Sequence, residues 1–166
     1  MAGKTAKDDG AKTNAMRLLD AAGVAYATDS YAWSEEDLSG NHAAAELGVD
    51  PAKVFKTLVA RGEKTGIHVF CIPVAKTLDL KKCAALCGEK RFALLPLKEL
   101  LPVTGYLRGG CSPVGMKKSY PTHIHETALS FPEGIYVSAG LRGRQLFLAP
   151  RALADFLGAA FGDLVQ

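Results

Sequence analysis

The feature that most limits the possible fold is the stretch GYLRGGCSPVGMKK at 105–118. It holds four glycines, one proline, one arginine and two lysines, and its apolar residues are too scattered for a helix or a strand. Glycine lets a ligand approach the main chain closely, and proline fixes the local backbone geometry. A shaped backbone surface with cations at its edges is typical of sites that hold a phosphate or a developing oxyanion. The stretch therefore predicts a long anion-binding loop.

Length and composition predict a single folded domain. The chain has 166 residues, of which 48% are apolar and 22% are charged, and this is enough to bury a core. The net charge of +3 is compatible with a polyanionic partner but does not require one, because dedicated nucleic-acid domains are usually more basic.

The N-terminus and the cysteines indicate a cytoplasmic protein. Residues 1–12 are polar and contain no apolar segment of a signal peptide, and we expect them to be a disordered tail. No apolar run reaches the roughly 18 residues that a membrane span needs. The four cysteines are then expected to be reduced. Cys83 and Cys87 lack the spacing of a zinc motif and are interpreted as small buried residues.

Helix and strand patterns that follow one another irregularly along the chain predict an α+β fold. Thr13 and Asn41 are candidate helix caps, and 54–60 and 68–74 predict a β-hairpin with a loop of about five residues. Further helices are predicted at 78–88, 96–101 and 151–161, and further strands at 24–31, 91–95, 121–126, 135–140 and 144–150. Since strict alternation is absent, we expect a single domain at 13–166 with a mixed, barrel-like β-sheet of about six or seven strands and surrounding helices.

Lys56 is an anomaly in a strand whose two faces are both largely apolar. It shares a face with Val54 and Leu58, and a lysine there loses hydration unless its ammonium reaches an anion or a cavity. One interpretation is a cation that points into a ligand pocket. The other is a lysine at a strand end that reaches water.

Three further positions each leave two interpretations open. Ser138 lies in IYVSAGLRG at 135–143 beside small residues, which either leave room for a ligand or form a tight turn with Arg142 in solvent. His123 and His125 share a strand face and could bind a metal, but no third ligand lies nearby in sequence, which favours surface histidines. Cys111 is either a thiol activated by its cationic loop or a small loop residue. No Ser-His-Asp order or carboxylate pair stands out.

Three motifs in order resemble the YbaK family, the free-standing relatives of the editing insertion of bacterial prolyl-tRNA synthetase. They are FKTL at 55–58, the glycine-rich loop at 105–118 and IYVSAGLRG at 135–143. The resemblance covers nearly the whole chain from residue 12. It implies a small α+β domain that deacylates mischarged tRNA, and the motif variants resemble the branch that acts on Cys-tRNA(Pro).

The chemistry implied by that branch needs no nucleophile from the enzyme. The thiol of the substrate's own cysteine attacks the ester carbonyl and leaves as a cyclic thiolactone, so the enzyme positions the two groups and stabilises the oxyanion. The resemblance implies no cofactor and no metal. It implies mischarged tRNA as the partner, with prolyl-tRNA synthetase as a further one.

The resemblance also assigns the site residues. Lys56 would contact the terminal adenosine or its phosphate, and Gly109 and Gly110 would place backbone groups around the ester. The substrate-binding residues would be Tyr31, Thr57, Ser138, Arg142 and Gln145. At Gln145 the family often has an acidic residue; a neutral amide can hydrogen-bond a ribose or an amine but supplies no charge.

Two alternatives to Cys-tRNA(Pro) deacylation remain open from the sequence. The same chemistry could act on tRNA mischarged with alanine, serine or threonine, since the pocket lining decides the amino acid. The chain could also be a non-catalytic module that binds tRNA or a nucleotide, in which the loop and Lys56 only hold phosphate.

Overall fold

Capping interactions determine where the helices begin. The computed structural model describes residues 4–5 and 11–166. Thr13 accepts a hydrogen bond from the N–H of Met16 at 3.2 Å and so begins the first helix, as predicted. The helices of the described residues are α1 (Asn14–Ala21), α2 (Gly40–Leu47), α3 (Leu80–Cys87), α4 (Leu97–Thr104) and α5 (Pro150–Leu157). None of them has the length and apolar character needed to cross a membrane.

Two helix boundaries differ from the predicted ones. The cap of α2 is Ser39, whose side chain accepts from the N–H of His42 at 3.2 Å, and Asn41 lies inside the helix. Helix α5 does not continue to residue 161, because Gly158 adopts a left-handed φ of 65° and ends it. The residues that follow form a short strand instead.

The strands of the described residues form three sheets. They are β1 (Lys4–Thr5), β2 (Ala27–Ser30), β3 (Ala32–Trp33), β4 (Phe55–Gly62), β5 (Gly66–Pro73), β6 (Phe92–Leu94), β7 (Thr122–His125), β8 (Ile135–Ser138), β9 (Arg144–Leu148) and β10 (Ala160–Gly162). The strand orders are β1-β3, β10-β7-β5-β4-β6 and β2-β9-β8.

The predicted hairpin lies at the centre of the five-stranded sheet. β4 and β5 pair antiparallel over their full length, and only residues 63–65 separate them, fewer than the loop of about five that the sequence predicts. β7 pairs parallel with both β5 and β10. The sheet is therefore mixed, as predicted.

The predicted barrel-like closure is not confirmed. The five-stranded and three-stranded sheets are separate, and one isolated bridge between Val54 and Tyr136 joins them. The described chain is an α+β domain with more strands than predicted and no closed barrel.

Two hydrophobic cores lie on opposite faces of the five-stranded sheet. The larger core lies between this sheet, the three-stranded sheet, α1 and α5, and includes Phe55, Cys71 and Leu146. The smaller core lies against α3 and includes Phe70 and Ile72 of β5. Successive residues of β5 thus contribute to different cores, as the pleat of a strand requires.

Part of the tail that the sequence predicts to be disordered is described. Lys4 and Thr5 pair with Trp33 and Ala32 as a two-residue strand. The carbonyl oxygen of Ala11 accepts a hydrogen bond from Arg144 at 2.9 Å. Residues 1–3 and 6–10, on which the same prediction falls, lie outside the described residues.

Candidate active site

A cavity of about 480 Å³ opens where β4, the end of β8, the start of β9 and the glycine-rich loop meet. Its size is that of a small-molecule site. Six of the eight predicted site residues line it, namely Tyr31, Lys56, Thr57, Gly109, Ser138 and Gln145. The other two, Gly110 and Arg142, lie outside its lining.

Lys56 brings an unpaired cation to this cavity. It is half-buried on β4, opposite Ile72 of β5. Among the described residues its ammonium has no ion-pair or hydrogen-bond partner. Burial lowers the pKa of Lys56, because the charged form loses hydration. An anionic group of a ligand would relieve this cost, which favours the pocket interpretation.

Ser138 and Gln145 lie side by side at the base of the cavity. They are directly paired in the β8–β9 register, and both are buried. The Oγ atom of Ser138 accepts the N–H of Gly140 at 3.1 Å, which leaves its hydroxyl hydrogen free to donate. The Oε1 atom of Gln145 is buried and accepts no hydrogen bond from a described residue. A buried acceptor without a partner is costly, so a ligand donor is expected to meet it.

Tyr31 completes this polar corner. Its backbone N–H bonds to the carbonyl of Gly143 at 2.9 Å, which extends the β2–β9 pairing up to the cavity. Burial raises the pKa of the Tyr31 hydroxyl, and the neighbouring side chain of Gln145 opposes this rise. The hydroxyl therefore stays protonated and can donate near neutral pH.

The two glycines of the loop have different environments. Gly109 has a φ of 86°, lines the cavity and donates no hydrogen bond to a described residue. The N–H of Gly110 bonds to the carbonyl of Leu107 at 3.0 Å. A Cβ atom at Gly110 would lie 3.1 Å from the backbone nitrogen of Arg142, so the close approach of the two backbones leaves little room for a side chain here.

Arg142 connects the loop to the segment before α2. Its Nε donates to the carbonyl of Arg108 at 2.9 Å. Its guanidinium lies 3.9 Å from a carboxylate oxygen of Glu35 and 5.5 Å from the ring centroid of Trp33. These contacts hold the loop in place, and a direct contact of Arg142 with substrate stays a prediction.

Comparison with known proteins agrees with the motifs. The family model described as the aminoacyl-tRNA editing domain matches residues 39–156, a range that contains all the predicted site residues except Tyr31. The chain belongs to the aminoacyl-tRNA editing domain family. A protein of Enterococcus faecalis (strain ATCC 700802 / V583) with the provisional name Cys-tRNA(Pro)/Cys-tRNA(Cys) deacylase EbsC is 46% identical over 92% of this chain and 93% of its own.

Solved structures share the fold of this editing domain. One described provisionally as a trans-editing enzyme for prolyl-tRNA synthetase has a TM-score of 0.77 at 24% identity and covers 94% of this chain and 99% of its own. The structure of hypothetical protein APE2540 has a TM-score of 0.80 at 25% identity and covers 90% and 97%.

Apart from Lys56, whose pKa is lowered by burial, the described lining of the cavity has no side chain suited to general acid–base catalysis near neutral pH. None of the described residues that line it is a histidine, an aspartate or a glutamate. Activation of Cys111 by its cationic loop would require a lowered thiol pKa. Burial instead raises the pKa of this thiol to about 12, which contradicts that interpretation. Cys71, which lies 3.9 Å from the hydroxyl of Thr57, also has its pKa raised to about 12 by burial. The site can bind, orient and donate hydrogen bonds.

Several cavity residues were missed as site residues by the sequence reasoning. Arg108 is an exposed cation of the lining, and Asn41 contributes an amide from the first turn of α2. One wall is formed by leucines of β6, α4 and the segment between them, namely Leu94, Leu95, Leu97 and Leu100. Leu94 and Leu97 are 51% and 61% exposed. Exposed apolar residues that lie together often mark a binding site, but their exposure is visible only in the structure.

Proposed function

We propose that this protein is a trans-editing deacylase that removes cysteine from mischarged Cys-tRNA(Pro). The observation that carries the proposal is a ligand-sized cavity that contains an unsatisfied amide oxygen and a lysine without a partner among the described residues, and whose described lining has no histidine, aspartate or glutamate. Such a site suits a reaction in which the substrate brings its own nucleophile. The provisional name of the Enterococcus relative supports the same substrate.

In the proposed reaction the thiol sulfur of the esterified cysteine attacks its own carbonyl carbon. A carbon–sulfur bond forms and the bond from this carbon to the ribose oxygen breaks, so that a cyclic thiolactone and free tRNA result. The thiol proton goes to solvent, and the ribose oxygen takes a proton from solvent. The protein's contribution is to hold sulfur and carbonyl in attack geometry and to stabilise the oxyanion.

The cavity residues supply these functions as follows. The N–H of Gly109 donates to the developing oxyanion, and Gly110 permits the close backbone packing that holds it there. The Oε1 of Gln145 accepts from the α-ammonium of the substrate, and the hydroxyl of Ser138 donates to the ester.

The remaining residues bind the nucleotide end of the substrate. The ammonium of Lys56 meets a phosphate oxygen or the terminal ribose, which relieves its desolvation. Tyr31 and Thr57, which also line the cavity, donate hydroxyl hydrogen bonds.

The test compares two substrates that differ by one atom. Purified protein is incubated with Cys-tRNA(Pro) and with Ser-tRNA(Pro), and the loss of aminoacyl ester is followed over time. We expect rapid loss of the cysteine ester only, with a thiolactone or its trapped adduct as the product. Equal hydrolysis of both esters would contradict the thiol mechanism, and esters of alanine or threonine in the same panel would reveal a different specificity. Tight binding with no turnover of any ester would indicate a binding module instead.

The modest positive charge of the chain bears on how it meets its tRNA substrate. A net charge of +3 supports only weak binding of free tRNA, because few phosphates can be neutralised. We therefore expect editing in the cytoplasm on tRNA that prolyl-tRNA synthetase still holds. A pull-down with synthetase and tRNA(Pro) should recover a ternary complex, and its absence would count against this arrangement.

A further inference from the structure

Three potential metal ligands converge on the face of the five-stranded sheet that packs against α3. They are Nδ1 of His68 on β5, Nε2 of His123 on β7 and Sγ of Cys87 in the last turn of α3, and all three atoms lie within 4.8 Å of one another. Nε2 of His123 is 3.1 Å from Nδ1 of His68 and 3.4 Å from Sγ of Cys87. Three elements distant in sequence thus bring two imidazoles and a thiol to one point.

Two of the three separations are close to those around a tetrahedral ion. Zinc bonds of about 2.0–2.1 Å to nitrogen and about 2.3 Å to sulfur place two nitrogens about 3.3 Å apart and nitrogen and sulfur about 3.6 Å apart. The observed distances of 3.1 Å and 3.4 Å need adjustments of only a few tenths of an ångström. The ligand set of two histidines and one cysteine is one that zinc accepts.

A hydrogen-bond relay fixes the proton of His68 on the nitrogen that faces away from this point. The hydroxyl of Thr65 donates to a carboxylate oxygen of Glu89, so it must accept from Nε2 of His68, which lies 2.8 Å away. Nδ1 of His68 is then unprotonated, with its lone pair toward His123. Histidine ligands of metals show the same arrangement, in which the distal N–H is anchored to a carboxylate directly or through another group.

The carboxylate at the end of the relay is itself held rigidly. Glu89 accepts hydrogen bonds from the backbone N–H groups of Lys64, Thr65 and Lys90, the last two at 2.7 and 2.8 Å. This network ties the residues after α3 to the β4–β5 turn. It orients His68 before any ion arrives.

We propose that His68, Cys87 and His123 bind one zinc-class divalent ion, with water as the fourth ligand. Cys87 and His123 are only partly buried, which gives the ion a path from solvent. His125, the partner of His123 in the sequence pattern, is not a ligand, because its Nδ1 accepts the N–H of Leu164 at 3.1 Å. The ion links the end of α3 to β5 and β7.

This site is separate from the cavity. His68 pairs with Ala60, four residues along β4 from Lys56, which pairs with Ile72 on the same sheet face. At about 3.3 Å per residue the two positions lie more than about 10 Å apart along the strand. None of the three ligands lines the cavity. The proposal therefore concerns a structural ion and is independent of the deacylase activity.

The test uses cobalt(II) as a spectroscopic probe on reduced full-length protein that was first treated with chelator. We expect one equivalent of cobalt to give a thiolate-to-cobalt charge-transfer band and the visible bands of four-coordinate cobalt, and zinc to displace it. Cys87→Ser should lose the charge-transfer band. His123→Gln should weaken cobalt binding and provides a second reading if Cys87→Ser folds poorly.

Two further variants distinguish a specific metal site from nonspecific metal binding. Cys111→Ser, which changes a thiol outside the cluster, should keep the full spectrum. Thr65→Val removes the relay but leaves Glu89 with its backbone partners, and it should weaken zinc binding about 10- to 100-fold. A wild-type protein without the charge-transfer band, or a band that survives Cys87→Ser or is lost in Cys111→Ser, would overturn the proposal.

Discussion

Lys56 is the residue whose environment most demands a ligand. It is half-buried, its pKa is lowered by burial, and it has no partner among the described residues. Lys56→Ala should therefore fold normally but lose about 10- to 100-fold in kcat/KM, the worth of a hydrogen bond from a charged group. Deacylation kinetics with Cys-tRNA(Pro) measure this, and circular dichroism checks the fold.

The matched control for this prediction is Lys81→Ala. Lys81 is exposed on α3 and does not line the cavity. The two variants remove the same charge from the molecule, so a general effect on tRNA attraction would appear in both. Full activity of Lys56→Ala, or equal losses in the two variants, would remove Lys56 from the site.

Cys111 offers a test of where the nucleophile comes from. Burial raises the pKa of its thiol to about 12, so the thiol is protonated throughout the physiological range, although the loop around it is cationic. Cys111→Ser keeps the size of the side chain and should retain most of the activity. An inactive but folded Cys111→Ser variant would reinstate an enzyme nucleophile, and steady-state kinetics decide between the two.

At the scale of elements, the site depends on contact between the glycine-rich loop and the turn after β8. Gly110 has no positive φ, so only space restricts the residue at this position, and a Cβ would lie 3.1 Å from the nitrogen of Arg142. Gly110→Ala should push the two segments apart, lower the free energy of unfolding by about 1–3 kcal/mol and abolish most activity. Urea unfolding and deacylation assays measure the two effects.

A substitution at a second glycine, Gly66, serves as the control that distinguishes an effect on stability from an effect on activity. Gly66 begins β5 with a φ of 78° and open space around its Cα, far along the strand from the cavity. Gly66→Ala should cost about 1–2 kcal/mol through backbone strain alone and leave kcat/KM unchanged. Activity that falls equally in both variants would mean that general destabilisation explains the effect of Gly110→Ala.

The elements themselves were predictable where the signal is local. Thr13 and Gly88 lie where the pattern places a helix start and a helix end, and the hairpin of β4 and β5 follows from two apolar runs around a polar turn. The cap of α2 was misassigned because Ser39 and Asn41 are both good caps, and only the backbone conformation selects one. The first two residues of β10 were predicted as helix because the strand with which β10 pairs, β7, lies far away in sequence.

At the scale of the whole molecule, the sequence predicts some of the residues that line the cavity but not how the cavity is assembled. Three motifs place Lys56, Gly109 and Ser138 in one cavity, but the leucine wall comes from β6 and α4, which carry no motif. The same limit applies to the cluster at His123. The other two residues of this cluster, His68 and Cys87, are distant from His123 in sequence. They lie beside it because α3 packs on the sheet. Assembly from distant elements leaves no local pattern.

The extent of the folded unit also depends on a long-range contact. Arg144 is 8% exposed, and its guanidinium donates to the carbonyl of Ala11 at 2.9 Å. Among the described residues it has no acidic partner. A buried guanidinium group that loses an acceptor lowers the stability of the fold. We therefore expect the folded domain to begin before the predicted boundary at residue 13 and to include Ala11.

We expect a version of the protein that begins at Thr13 to be about 1–3 kcal/mol less stable than one that begins at Ala11. Urea unfolding measures the difference. The truncation also removes the exposed Lys12–Asp20 ion pair, which contributes little. Repeating both versions with Arg144→Met isolates the buried contact, because the difference between them should then nearly vanish. If the difference is the same in both backgrounds, the carbonyl of Ala11 does not stabilise Arg144, and if the two versions are equally stable, the domain begins at residue 13.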